Sequence, residues 1–123
     1  MNSSSTTFDD QEFDFIYWGF FMYLLDRDHV YKVTYETDRI LKKGGFLAIL
    51  DFEPMIPHKK EYHHQKGCYT YKNDYSKILL SSGHYTLVAK HSFSHDSNSF
   101  VKDHNQRISI SLLYKEEEPY LVI

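Results

Sequence analysis

Residues 13 to 52 place an apolar run, an amphipathic helical pattern and a second apolar run in immediate succession: FDFIYWGFF, DRDHVYKVTYETDRILKKGG and FLAILDF. The first run is nearly continuous in apolar and aromatic side chains, which suits a strand covered on both faces. In the second segment Val30, Val33, Thr37, Ile40 and Leu41 recur at three- and four-residue spacing and form one apolar stripe. Asp26 or Asp28 stands where a side chain can cap the helix N-terminus. Lys42 and Lys43 stand where positive charge offsets the dipole at the other end, and Gly44 offers the left-handed residue that stops a helix. FLAILDF, residues 46 to 52, then reads as a second fully buried strand. Strand, helix and strand make a βαβ unit, whose right-handed crossover requires the two strands to run parallel.

The remaining pattern changes character. From Glu53 to about Thr70 there is no clear period, and a loop of that length in a small domain is usually functional. YKNDYSKILLSSG predicts a short helix with Tyr71, Tyr75, Ile78 and Leu79 on one face and Gly83 at its end. Residues 85 to 94 and 107 to 115 read as strands joined by a polar connection, an antiparallel pair closing the sheet. Residues 1 to 7 are rich in Ser and Thr and are expected to form a disordered tail, leaving 8 to 123 as one domain.

Bulk properties narrow the function class. A chain of 123 residues supports one domain with one core. The formal net charge is −3 and the lysines are scattered among acidic residues, which argues against a nucleic-acid partner. The longest apolar stretch, FIYWGFFMYLL, has 11 residues, too few to cross a bilayer, and MNSSSTT lacks the pattern of a signal peptide. With a single cysteine, Cys68, the expectation is a cytoplasmic, reduced protein that is not attached to a membrane. The 11 tyrosines, 9 phenylalanines and one tryptophan suit either a lined pocket or a tyrosine-rich surface.

In this order, FDDQEFDFIYWGFFMYLLDRD, the helix closing on DRILKKGG and the strand FLAILDF resemble the C-terminal half of a class I S-adenosylmethionine-dependent methyltransferase. The resemblance covers nearly the whole chain from about Phe8. It implies an α/β fold, a partial Rossmann-like sheet in which the pieces present correspond to strands four, five, six and seven of the family. Strand seven is then inserted between five and six. The family's glycine-rich loop at strand one and the acidic residue after strand two have no counterpart, since no G-x-G occurs and there is no room for three strands before Phe13. That loop is needed because only a glycine backbone comes close enough to the cofactor.

Ligands of open α/β sheets sit beyond the carboxyl ends of the parallel strands. The resemblance accordingly implies that Trp18, Gly19 and Phe20 lie beside the methionine part of S-adenosylmethionine, Gly19 permitting close backbone approach. It implies a small-molecule methyl acceptor facing Tyr23, Asp51 and Tyr62. Where the acceptor carries a proton, His63, His64 and Glu53 are the candidate catalytic bases. The eight histidines do not form a zinc pattern: His58, Glu61, His63 and His64 lack the helical spacing of a ligand set, so no metal is expected. The partner expected is a complementing N-terminal half or a second copy, and the competing class is a non-catalytic remnant or interaction module that pairs through an exposed strand edge.

Overall fold

A computed structural model describes residues 6–62, 66–103 and 106–123. Strand β1 (Phe13–Gly19) leads through a short 3₁₀ turn (Met22–Leu24) into helix α1 (Arg27–Ile40) and directly into β2 (Leu41–Phe52). A hairpin of β3 (His58–Glu61) and β4 (Tyr69–Lys72), a short helix α2 (Ser76–Leu80), and the strands β5 (Tyr85–Ser94) and β6 (Arg107–Lys115) complete the chain. The main sheet has the order β1-β2-β6-β5, with β1 and β2 parallel and the other pairs antiparallel. The expected βαβ unit and the final strand inserted beside it are both present.

Helix α1 buries Val30, Val33, Thr37 and Ile40, the stripe read from the sequence, and Trp18 Nε1 donates to Thr37 Oγ1 at 3.1 Å. Trp18, Val30 and Val33 meet Leu41, Leu47, Ile49 and Leu113 of the sheet and Met22, Tyr75, Leu79 and Tyr85 in one core. Each fully buried side chain of this kind contributes about 1.5–3 kcal/mol.

Both ends of α1 differ from expectation. Asp26 occupies the N-cap position but its side chain makes no capping bond; it and Asp28 contribute charge near the dipole's positive end. At the other end the helix stops at Ile40, and Leu41 is already extended at φ −84° and ψ 128°. Lys42 and Lys43 therefore belong to β2 rather than to a last helical turn. Phe13 of β1 pairs with Leu41 while Phe15 pairs with Phe46, so an irregularity in the ladder absorbs the extra residues, with Gly44 at φ +81° inside it. The orphan carbonyls of the helix end are met from β6: Lys115 Nζ donates to Asp38 O at 2.7 Å and to Leu41 O at 2.8 Å.

Strands β1 and β2 were expected to be covered on both faces, and they are not. The helices lie over the side that carries Ile16, Trp18, Leu47, Ile49 and Leu113. On the other side Phe15, Tyr17, Phe46 and Ile110 stand in the open, Phe15 at 54 % and Tyr17 at 51 % exposure. Phe15, Ala48, His91, Ile110 and Leu112 line a shallow groove of about 340 Å³ on this face. The apolar runs suit a three-layered fold of which the described residues supply two layers.

The segment after Glu53 is also more ordered than a loop. His58 to Glu61 pair antiparallel with Lys72 to Tyr69. Tyr71 consequently sits on β4, and α2 is confined to Ser76–Leu80, shorter than the face of four residues expected from the spacing.

Candidate functional site

The carboxyl ends of β1 and β2 lie side by side, because Gly19 pairs with Leu50 in the parallel register. Phe20 continues the ladder by one bond, its N–H donating to Leu50 O at 2.9 Å, and turns the chain away at φ +52°. The turn that follows brings Tyr23 back over the end of β2. Phe52 is the centre of the resulting aromatic group: its ring centroid lies 5.0 Å from that of Tyr23, 5.6 Å from Phe20 and 6.1 Å from His95. The Tyr23 and Phe20 contacts are edge-on, the favoured geometry for ring quadrupoles, and the His95 contact is stacked.

Asp51 is buried beneath this group. Its Oδ1 accepts the Phe52 N–H at 2.7 Å, and its carboxylate also accepts the Tyr23 N–H, which fastens the 3₁₀ turn to the strand end. Burial pushes its pKa up to about 7 against those two backbone bonds, and Asp74 adds to the rise while Lys72 opposes it. A carboxyl titrating near neutrality can hold or accept a proton under ordinary conditions. The Tyr23 hydroxyl is driven in the same direction by burial, by Asp51 and by Tyr62, and stays protonated.

Beside Asp51 lies a denser polar set from β4 and the start of α2. Arg27 stacks over Tyr71 at 4.0 Å and donates to the Tyr75 hydroxyl at 3.1 Å. Asp74 pairs with Lys90 at 2.5 Å; burial raises its pKa, but the Lys90 and Ser76 bonds outweigh burial and leave it below its ordinary value. Lys72 points its ammonium at the Phe52 ring, 4.1 Å from the centroid.

Of the residues expected from sequence, Gly19, Phe20, Tyr23 and Asp51 meet here, and Tyr62 is within electrostatic reach of Tyr23. Glu53 is one step beyond the cluster, its carboxylate accepting the Ser92 hydroxyl. The Trp18 side chain faces the core at 2 % exposure, and only its backbone belongs to the strand exit. His63 and His64 lie outside the described residues. Phe52, Lys72 and His95 were not singled out in the sequence. Only Phe52 carried a signal, as the last residue of the strand FLAILDF. Lys72 stood in a stretch read as helix, and His95 in a polar connection.

Solved structures share this architecture. A methyltransferase described as S-adenosylmethionine-dependent, from Methanosarcina mazei, superposes with a TM-score of 0.74 at 15% identity over 96% of this chain and 66% of its own. The 1,6-didemethyltoxoflavin-N1-methyltransferase of Burkholderia thailandensis, solved with its substrate and S-adenosylhomocysteine, gives 0.71 at 13% identity over 95% of this chain and 49% of its own. The geranyl diphosphate C-methyltransferase of Streptomyces coelicolor gives 0.59 at 9% identity over 94% and 50%. At such identities the likeness shows the fold, the Rossmann-like sheet of class I methyltransferases. The chain spans about half to two thirds of the length of these proteins. No protein-family model matches the chain, and a search of curated proteins finds no match. No helix among the described residues is long and apolar enough to cross a membrane.

Proposed function

We propose that residues 8–123 form the acceptor-side half of an S-adenosylmethionine-dependent methyltransferase acting on a small molecule, and that the grip on the donor comes from a complementing half. The observation that carries this reading is the pairing of a parallel strand exit, where Gly19 and Asp51 lie close, with a sheet whose β1 edge has no partner strand among the described residues and whose second face exposes Phe15, Tyr17, Phe46 and Ile110. An edge strand with exposed Phe15 and Tyr17 calls for a neighbour.

The residues present suit one wall of a donor site. Gly19 adds no side chain at the exit of β1, where the Tyr17 ring lies beside it, and the ring faces of Phe20 and Tyr23 favour a sulfonium. The glycine-rich loop and the ribose-binding carboxylate are not in this sequence. S-adenosylmethionine supplies an electrophilic methyl group. The chain's share of the work is to align the acceptor against Tyr23, Asp51 and Tyr62, to exclude water with the aromatic group, and to take the acceptor's proton. The carboxyl of Glu53 and the imidazoles of His63 and His64 are the proposed proton acceptors.

A chimera tests this placement. The glycine-rich strand–loop–helix half of a solved protein of this fold is joined ahead of Phe8, and S-adenosylmethionine is titrated while backbone amides are followed by NMR. The amides of Gly19 and Phe20 are expected to move first. A folded chimera in which the donor perturbs only the grafted half would overturn the assignment of these two residues.

The second reading, a non-catalytic module, has its own support in a groove of about 350 Å³ between the β1 edge and α1, lined by Ile16, Trp18, Phe21, Val33, Thr37 and Ile40. It predicts association of the isolated chain through β1, as a second copy or with another protein. Sedimentation as a stable monomer, unchanged by Tyr17→Lys, counts against it.

A further inference from the structure

We infer that Lys72, set over the Phe52 ring, anchors an anionic group, and that the molecule bearing it is an aromatic carboxylate. The site stands on the geometry of β4; that its occupant is the methyl acceptor rests on the function proposed above.

Thr70 and Lys72 are buried on one face of β4, and Lys72 keeps only 8 % of its surface exposed. Long charged side chains are almost never buried to this degree without a partner. Among the described residues Lys72 makes no side-chain hydrogen bond and no ion pair; its ammonium rests over the Phe52 ring at 4.1 Å. A ring face offers an ammonium about 0.5–2 kcal/mol, less than a carboxylate hydrogen-bonded in the same surroundings. Asp51 and Asp103 act on Lys72 only at longer range, and Lys60 on the paired strand opposes them. The hydrogen bonds Asp51 makes are with the N–H groups of Phe52 and Tyr23, and none is with the Lys72 ammonium. Desolvation and the Lys60 charge both depress the Lys72 pKa, which is the signature of an ammonium short of counter-charge.

The rings around it set the rest of the ligand. Phe20, Tyr23 and His95 pack around the Phe52 ring on which the ammonium rests, so an anion reaching Lys72 arrives at aromatic surface. Lys59 and Lys60 make the hairpin electropositive, which favours arrival of an anion. A carboxylate held by Lys72 with a flat apolar body against Phe52 satisfies both halves of the site. A neutral aromatic satisfies one.

The test uses the chain as it stands, with benzoate and its neutral isostere benzamide as probes, followed by NMR at the Lys72 side chain and the Phe52 ring. Benzoate is expected to saturate, to raise the Lys72 pKa and to bind at least about tenfold more tightly than benzamide, a 1.4 kcal/mol difference. Lys72→Met should bring the two probes to within about twofold, and Lys72→Arg should keep most of the preference. Equal affinity for the two probes, no binding of either, or a preference that survives in Lys72→Met overturns the inference. If Lys72→Met does not fold, the wild-type measurement decides: saturation by benzoate with no change at Lys72 overturns it. Because no donor is present, a failure here leaves the methyl-transfer reading standing. Failure of the chimera titration leaves the anion site standing.

Discussion

Asp51 makes the stability of this chain depend on pH in a direction opposite to most carboxylates. Its folded pKa is raised from 3.8 to about 7 by burial, so the folded state holds its proton where the unfolded chain has lost it. The penalty is absent below the unfolded value, grows as pH rises from about 4, and is complete above the folded value near 7. At 1.36 kcal/mol per unit the whole span amounts to at most about 4 kcal/mol. Asp74, held below its ordinary value, works the other way and only in acid. Asp51→Asn keeps an acceptor for the backbone N–H groups and removes the ionisation. Urea unfolding should therefore find the variant gaining on the parent by a few kcal/mol between pH 4.5 and 8, and parallel pH profiles would refute the assignment. At this scale the sequence was legible where strand ends dictate position: Gly19, Phe20, Tyr23 and Asp51 converge because a parallel pair must deliver them to one end of the sheet. Lys72 was not legible. Its place over Phe52 depends on a hairpin of four-residue strands, and HKKE and YTYK are too short and too polar to declare a strand period.

The elements themselves owe their lengths to tertiary partners as much as to local preference. Helix α1 was expected to run to the lysines and stop at Gly44, because charge and glycine both suit a helix end. The ladder with Phe13 instead draws Leu41 into β2, and Lys115 takes over the orphan carbonyls. Lys115→Met leaves the carbonyls of Asp38 and Leu41 without that donor and should cost about 1–3 kcal/mol in chemical denaturation. No loss would show that solvent serves the helix end equally well. Gly44 keeps a role, though a different one. At φ +81° it turns the chain within the strand irregularity, and a Cβ there would come within 2.8 Å of Glu117 Oε1. Gly44→Ala should cost about 1–2 kcal/mol from the backbone alone. Adding Glu117→Ala relieves only the contact, so most of the loss should remain. The stripe of α1 and the strand at 107–115 were readable because periodicity and burial agree there, while the strand at 85–94, mostly exposed, was readable from its β-forming side chains alone. The end of α1 was not, since it is decided by a strand from elsewhere in the fold.

As a molecule the described residues form two layers, one sheet and the helices over one of its faces. One face of the sheet holds the core, the other carries Phe15, Tyr17, Phe46 and Ile110 in the open, and among the described residues no strand pairs with the outer edge of β1. The apolar runs suggested strands covered on both faces, and the exposed residues on the second face are what the proposed complementing half would cover. Isothermal titration of S-adenosylmethionine into the chain alone and into the chimera carrying a glycine-rich half tests that division most directly. No saturable binding by the chain alone is expected up to about millimolar donor, and binding at about micromolar strength by the folded chimera. Micromolar binding by the chain alone would contradict it, because a chain that grips the donor unaided cannot be lacking the donor's wall.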